Sequence, residues 1–332
     1  MTKLIFADPH WSDNPRDRYR HDFVDWMVAQ IRKRQASDVY LLGDLTVEKN
    51  YHDAWLVNRC VDHVYRLAQE ARVTIDQGNH DYTNQDNPFF EFLNRVPNVT
   101  WISTPTVIEN YLFLPHTRQW KADWHEISIQ AQNYDCVFAH QTFEGAAVGG
   151  RPLGGIPIEA IGWCRRVISG DIHHPQKILI SGGGYLHYVG APYRVNFGDD
   201  YAPRILMLDE ADKLTSISVP GVRKQLLDID ASTNMDQACT DLDAGDILKI
   251  RIKIGRETYD HWPAIKAKVR QWADKHDYIV DSIHPILEAV ARVTPSRRED
   301  NKTDVELVRT YAKKVGATPD TLTAGLQLLD GT

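Results

Sequence analysis

Short apolar runs alternate with amphipathic stretches over the first two hundred residues. Runs such as 4–7 and 39–42 have the length and composition of buried strands. Between them, apolar residues recur every three or four positions, which predicts a helix over 16–35. A second amphipathic stretch at 56–68 predicts another helix. Alternating strands and helices are typical of an α/β domain.

The same patterns predict the other elements up to position 189. We expect strands at 73–75, 99–102, 136–139 and 167–169, hairpins at 106–114 and 176–189, and a helix at about 122–132. Because hairpins join the later strands, the sheets should be mixed rather than wholly parallel.

The pattern changes after about position 211. A strand at 248–254 alternates apolar residues with Lys249, Arg251 and Lys253, and a helix at 262–272 and a strand at 278–280 follow. This predicts a small β-α-β unit. Residues 246–276 hold eight Lys and Arg against four Asp and Glu, a local excess of four positive charges in a chain of net charge -7. The basic strand face is either a contact for phosphates or an ordinary solvated surface.

A polar stretch at 294–303 predicts a linker, and two short amphipathic helices are predicted at 304–315 and 321–329. Helices this short need a surface on which to bury their apolar stripes. That surface belongs to this chain, a second copy or a partner, and the linker favours a partner.

Composition excludes several classes of protein. The chain has 332 residues, 42% hydrophobic and 25% charged, which is ordinary for about two globular domains. No apolar run is long enough to span a membrane, and the apolar start is too short for a signal peptide. The four cysteines form no C-x-x-C pair, so neither a disulfide framework nor a zinc knuckle is indicated, and we expect a cytoplasmic protein.

Metal-ligand residue types follow five predicted strands, and ligands collect beyond the carboxyl ends of strands in open α/β sheets. The set contains Asp8, His10, Asp44, Asn79, His140, Asp171 and His173. Each short motif is weak alone, but their order along the chain makes coincidence a poor explanation. Carboxylate, amide and imidazole ligands suit Mn²⁺, Fe²⁺ or Zn²⁺, and seven of them suit a pair of ions that promotes attack on phosphorus.

The motifs D-x-H, G-D, G-N-H-D, H and a final G-D-x-H resemble those of the calcineurin-like metallophosphoesterases over about residues 1–205. The resemblance implies a four-layer α-β-β-α sandwich. It implies that a first ion binds Asp8, His10 and His173, that Asp44 bridges, and that Asn79 and His140 bind the second ion. His80 would stay off the metals and act on the scissile phosphate, while Asp81 would hold its ring by a hydrogen bond.

One position departs from the family pattern, because Asp171 stands where the family has the first histidine of G-H-x-H. We interpret Asp171 as a ligand, which favours Mn²⁺ or Mg²⁺ over Zn²⁺ at the second position. The alternatives are a lost second ion or replacement by the adjacent His174.

The segment 188–199 resembles that of SbcD-type DNA repair nucleases, whose capping domain and tail resemble the rest of the chain. The resemblance implies a nuclease domain at 1–205, a capping domain at 206–293, and a linker and helical tail at 294–332. It implies phosphodiester hydrolysis of DNA, as exonuclease or endonuclease, in recombination and repair with an SbcC-type SMC-like ATPase. Length and tail resemble a phage recombination endonuclease subunit, which would work in the host cytoplasm. In such nucleases the helices equivalent to 16–35 and 51–71 form a homodimer interface.

The sequence therefore predicts a two-metal phosphodiesterase, with Mn²⁺ the expected ion and Mg²⁺ the alternative. A stand-alone phosphoesterase that acts on nucleotides or phosphoproteins is the second hypothesis. A non-catalytic module in which Asp171 marks a decayed site is the third.

Overall fold

Parallel strands occupy the centre of two sheets in the computed structural model, which describes residues 1–124, 134–287 and 304–330. In the first sheet, β1 to β4 run parallel and the two later strands add antiparallel at one edge. Its spatial order is β14 (Leu214–Ser218), β13 (Arg204–Leu208), β1 (Lys3–Ala7), β2 (Asp38–Leu42), β3 (Arg72–Asp76) and β4 (Val99–Ile102).

The second sheet has four parallel strands between two antiparallel edge strands. Its order is β11 (Gln176–Leu179), β12 (Tyr185–Tyr188), β10 (Arg166–Gly170), β7 (Cys136–His140), β6 (Tyr111–Leu114) and β5 (Thr106–Ile108). A two-residue ladder of β8 (Ala147–Val148) and β9 (Arg151–Pro152) lies outside both sheets. Both predicted hairpins are confirmed, as β5–β6 and β11–β12.

Two helices cover the outer face of the first sheet, α1 (Tyr19–Arg34) and α2 (Ala54–Ala68). The Asp53 side chain caps α2 by accepting from the Leu56 amide at 2.6 Å. The apolar stripes of both helices pack against alternate residues of the parallel strands, in a core that includes Phe23, Met27, Leu41 and Val64. The two predicted helices are thus confirmed.

A second core lies between the two sheets, where Ile5 and Tyr40 meet Phe113 and Phe138. On the far side of the second sheet, the described residues contribute a one-turn helix, Trp120–Asp123, and a 3₁₀ turn, Ile158–Ile161. The helix predicted at 122–132 lies mostly outside the described residues. The α/β sandwich of two face-to-face sheets is confirmed.

A third, three-stranded sheet lies later in the chain, with the order β15 (Lys224–Asp230), β16 (Ile247–Ile254) and β17 (Ile279–Leu287). Helix α3 (Trp262–Lys275) packs on it through Val269, opposite Ile250 and Ile252. The sequence predicted β16, α3 and the start of β17 but missed β15. The basic face predicted for β16 includes Arg251. Because Arg251 is paired with Asp228, that face is less basic than the sequence indicates.

Two ion pairs join this third sheet to the loop after β1. Lys224 Nζ donates to Asp17 Oδ1 at 3.1 Å and to the Val195 carbonyl at 3.0 Å, and Arg16 Nη1 contacts Asp281 at 3.0 Å. Residues Met1–Ile286 accordingly form one compact unit. The three-domain division stays a prediction, and β13, which crosses position 205, and β14 complete the first sheet.

The second compact unit spans Leu287–Thr332 and includes α4 (Asp304–Val315) and α5 (Pro319–Asp330). These are the two predicted terminal helices, separated at Gly316, whose φ of 67° favours glycine. The linker predicted at 294–303 lies outside the described residues. None of the described helices has the length and apolarity needed to cross a membrane, and all four cysteines are buried and unpaired.

Candidate metal centre

The carboxyl ends of β1, β2, β7 and β10 meet at one edge of the sandwich, together with the loop after β3. The turns that follow these strands have left-handed backbone at four non-glycine residues. These are Asp8 (φ 54°), His10 (φ 41°), Asp44 (φ 57°) and Asp171 (φ 77°). Such conformations cost of order 1–3 kcal/mol each and cluster at functional sites.

Three overlapping sets of potential ligand atoms lie within 4.8 Å of one another among the described residues. The sets are Asp8, His10 and His173; His10, Asp44 and His80; and Asp8, Asp44 and His140. The structure therefore brings together five of the seven predicted ligands, with His80 beside them. Whether these side chains bind metal stays a prediction.

Asn79 and Asp171 lie at the edge of the same cluster. Asn79 Oδ1 is 3.3 Å from His140 Nε2, and Asp171 Oδ1 is 3.8 Å from the same nitrogen. The Asp171 amide donates to Asp8 Oδ1 at 3.1 Å, and the Thr142 hydroxyl donates to Asp171 Oδ2. The alternative residue His174 turns elsewhere, with Nδ1 3.6 Å from Asp200.

Backbone carbonyls fix the tautomers of three histidines. Nδ1 of His10 faces the Thr46 oxygen at 3.4 Å, Nδ1 of His80 faces Val47 at 2.6 Å, and Nδ1 of His140 faces Leu42 at 2.8 Å. A carbonyl oxygen only accepts, so each Nδ1 carries a proton and donates it. In the neutral rings, Nε2 is left with a lone pair, the form in which imidazole binds metal.

The Nε2 atom of neutral His10 has no proton to donate to either of its two close neighbours. His10 Nε2 and His173 Nε2 are 2.9 Å apart, and His10 Nε2 is 3.5 Å from Asp44 Oδ2. Asp8 Oδ2 is buried and has no hydrogen-bond partner among the described residues. A cation between them satisfies all these acceptors at once, so the residues fit a metal centre.

The pKa shifts indicate the same demand for positive charge. Burial raises the pKa of Asp8 well above its usual value, and the charges of Asp44 and Asp171 add to the effect. Burial would lower the pKa of His140, but Asp44, Asp8 and Asp171 outweigh it and raise that pKa well above its usual value. Burial lowers the pKa of His10 to about 3, so that ring is neutral at physiological pH. A bound cation would supply the positive charge that a protonated His140 otherwise supplies.

Asp81 has a different role from the predicted one. It does not hold the His80 ring, because the Val47 carbonyl takes that hydrogen bond. Instead its carboxylate accepts from the amides of Gly78 at 2.7 Å, Asp44 at 2.9 Å and Leu45 at 2.9 Å. Asp81 therefore ties the loop after β3 to the loop after β2 and positions Asp44.

Two glycines allow these loops to approach so closely. A Cβ on Gly43 would lie 2.3 Å from His140 Nδ1, and a Cβ on Gly78 would lie 2.3 Å from Asp44 Oδ1. Neither contact is possible for a larger residue. The close packing of the cluster therefore requires glycine at positions 43 and 78, in the motifs G-D and G-N-H-D.

Sequence reasoning missed His116, which follows β6. The ring centroid of His116 is 6.2 Å from that of His140, and its amide donates to the Gln77 carbonyl at 2.8 Å. The sequence does contain a signal for His116. Pro115 and His116 come directly after the apolar run 111–114, and therefore follow a further predicted strand.

A groove of about 430 Å³ opens beside the cluster, and His10, His80 and His173 line it. Asn14, Arg20 and Asn196 are among the polar residues that complete it. The groove therefore connects the candidate ligands with the segment that leads to the third sheet.

Fold and site together define an α/β sandwich protein with a candidate metal centre. No family model and no curated protein matches the chain. Among solved structures, it is similar to purple acid phosphatase PPD1 from yellow lupin, at 13% identity over 66% of this chain and 51% of that one, with a TM-score of 0.47. It thus spans about half the length of the lupin phosphatase.

Two further solved structures are similar at comparable identity. A dimetal phosphatase from Danio rerio shares 13% identity over 66% of this chain and 99% of that one, with a TM-score of 0.42. The nuclease MPE from Pseudomonas putida shares 14% over 65% and 87%, with a TM-score of 0.32.

Proposed function

We propose that this chain is a metal-dependent phosphodiesterase that hydrolyses DNA. The observation that carries the proposal is the arrangement of His10, His140 and His173 around Asp8 and Asp44, in which the unprotonated Nε2 of His10 and an unpartnered carboxylate oxygen of Asp8 are buried among other potential metal ligands. A structural core would not leave these acceptors buried without a donor.

Two divalent ions are proposed for the cluster, Mn²⁺ before Mg²⁺ because the set combines four carboxylate or amide oxygens with three imidazoles. Asp8, His10 and His173 would hold one ion and Asn79, His140 and Asp171 the other, with Asp44 common to both. When bound, such a pair supplies a nucleophile at neutral pH and offsets charge on the phosphoryl group.

His80 is the proposed proton donor to the leaving oxygen. Its ring stands edge-on to His10 at 4.9 Å between centroids, and its Nδ1 is occupied by the Val47 carbonyl. Nε2 is therefore the nitrogen that can take and release a proton at the groove.

Support for DNA rather than a small ester comes from the third sheet. It is joined to the groove through Lys224, and Lys249 stands over the Phe197 ring at 5.9 Å, next to the groove residue Asn196. Lys253 is exposed on the same strand. A long anionic chain that leaves the groove on this side would meet these cations.

The proposed partners are an SbcC-type SMC-like ATPase, at the terminal helices, and a second copy of this chain, at α1 and α2, in recombination and repair in the cytoplasm. In support of the first, α4 exposes Leu307, Tyr311 and Val315. In support of the second, α2 exposes Trp55 and Tyr65. The phage assignment stays a prediction.

Cleavage of single-stranded and double-stranded oligonucleotides with Mn²⁺, beside hydrolysis of bis(p-nitrophenyl) phosphate, tests the function. The proposal expects cleavage of DNA that depends on the metal and is lost in Asp44→Ala. Turnover of the small ester with intact DNA would favour the stand-alone phosphoesterase. Absence of both activities, together with less than one bound ion per chain, would favour the non-catalytic module.

A further inference from the structure

His116 differs from the histidines of the metal cluster in the partner of its Nδ1. That nitrogen lies 2.7 Å from the hydroxyl of Tyr82, a buried residue directly after Asp81. Among the described residues the Tyr82 hydroxyl has no other hydrogen-bond partner, so we assign its proton to the bond with His116 Nδ1, the arrangement that satisfies both groups.

This hydrogen bond sets the opposite tautomer from that of His10, His80 and His140. With Nδ1 accepting, His116 carries its proton on Nε2. It therefore offers no lone pair to a metal there, and as a neutral ring it does not supply the proton of an acid step. What it offers is one fixed N–H donor beside the Asn79 and His140 end of the cluster.

Two cations stand at the same corner. The Arg118 guanidinium lies 6.0 Å from the centre of the Tyr82 ring, and Lys49 is on the loop whose Val47 carbonyl binds His80. Burial and the charge of His140 lower the pKa of His116 to about 3. Lys49 and Arg118 contribute to this decrease, and Asp44 opposes it. Neither cation forms an ion pair with a residue that the structure describes.

Asp44 and Asp123, the two acidic groups that act on Tyr82, are already engaged. Asp44 belongs to the metal cluster, and the Asp123 carboxylate accepts from the Thr117 hydroxyl. The corner thus combines an N–H donor with two unpaired cations next to a carboxylate-rich centre. Such a combination favours an anion with several acceptor oxygens, which describes a phosphate group.

We propose that His116 donates its Nε2–H to a non-bridging oxygen of the scissile phosphate, that Tyr82 positions the ring, and that Arg118 and Lys49 attract the anion. The proposal rests on the proposed phosphodiesterase function and adds a second group, besides His80, that binds the phosphate. His80 would move a proton, whereas His116 would only hold an oxygen.

The test compares His116→Asn, His116→Gln and Tyr82→Phe in the full-length, Mn²⁺-loaded protein. A glutamine amide reaches the position of Nε2, whereas an asparagine amide reaches only that of Nδ1. We expect His116→Asn to lower kcat/KM for bis(p-nitrophenyl) phosphate and for an oligonucleotide alike, by about 10- to 100-fold. His116→Gln should retain more activity than His116→Asn. The kcat/KM of Tyr82→Phe should lie between those of His116→Gln and the wild type.

Binding of inorganic phosphate, measured by calorimetry, gives a readout that does not depend on turnover. We expect the dissociation constant of phosphate to rise about tenfold in His116→Asn and several-fold in Arg118→Ala, with bound Mn²⁺ unchanged. His187→Asn is the matched control, because His187 is also half-buried near cations but lies within β12.

Wild-type phosphate binding and turnover in His116→Asn would overturn the inference and leave the phosphodiesterase function standing. Equal losses in His116→Asn and His116→Gln, accompanied by lost Mn²⁺, would also overturn it, because His116 would then support the metal cluster. If the wild type hydrolyses no ester, the proposed function fails, and the phosphate-binding measurements alone decide on His116.

Discussion

Nδ1 of His80 lies 2.6 Å from the carbonyl oxygen of Val47, a residue three positions after Asp44. The loop after β2 therefore orients the side chain contributed by the loop after β3. This hydrogen bond leaves Nε2 of His80 free at the groove without any help from Asp81.

Replacement of His80 by alanine should abolish most hydrolysis but keep the metal. We expect kcat to fall by about 10²- to 10⁴-fold, because a positioned proton donor is lost while the proposed ligands stay in place. Bound Mn²⁺, measured by elemental analysis, should match that of the wild type. Asp44→Ala is the paired control and should lose the metal itself. Normal turnover in His80→Ala would remove His80 from the mechanism.

Asp81→Ala should act through Asp44 rather than through His80. The carboxylate holds three amides of two loops, so its loss should destabilise the fold by about 3 kcal/mol or more. Displacement of Asp44 should also weaken Mn²⁺ binding about 10- to 100-fold. Chemical unfolding and metal titration measure the two effects. Unchanged stability and Mn²⁺ affinity in Asp81→Ala would contradict this role.

Asp171→His replaces a carboxylate with an imidazole and should shift metal preference toward Zn²⁺, a softer ion. Competition between Mn²⁺ and Zn²⁺, followed by calorimetry, measures the shift. His174→Ala should leave both affinities unchanged, since His174 faces Asp200 and Tyr201. Identical titrations for Asp171→His and the wild type would argue against ligation by residue 171.

Asp76, at the end of β3, is fully buried, and neither carboxylate oxygen has a hydrogen-bond partner among the described residues. Burial raises its pKa well above the usual value, with a smaller contribution from Asp81, while His140 opposes. In the unfolded chain the Asp76 carboxyl ionises near pH 4. Between that pH and the raised pKa of the folded state, the free energy of unfolding therefore falls as the pH rises, by up to about 1.4 kcal/mol per pH unit.

Asp76→Asn should therefore be more stable than the wild type at pH 8, and the difference should shrink toward pH 4. Urea unfolding at several pH values measures it. The exposed Asp230 provides a control, since Asp230→Asn should change little. Equal stability of Asp76→Asn and the wild type at pH 8 would show that Asp76 has a compensating partner.

Much of the fold was accessible from the sequence, because buried parallel strands are short apolar runs and α1 and α2 have regular apolar stripes. β15 was missed, since its residues are only partly buried and its parallel partner β16 follows after a separate segment. Strand order and sheet pairing depend on long-range contacts that a local pattern does not contain.

The candidate site was predictable in its residue types but not in its hydrogen bonds. Motif spacing identified Asp44 and His140, whereas the Val47 carbonyl that binds His80 has no side-chain signal. His116 belongs to no motif, so only its contact with Tyr82 and its distance from His140 reveal it.

The left-handed turns at Asp8, His10, Asp44 and Asp171 bear on attempts to engineer a more heat-resistant version of this protein. Glycine at these four positions would relieve the strained backbone yet delete the side chains on which hydrolysis is proposed to depend. Substitutions that raise thermal stability should therefore be sought in the helices and in the interior between the sheets, where Asp76 is the first candidate. The residues of the strained loops should not be changed.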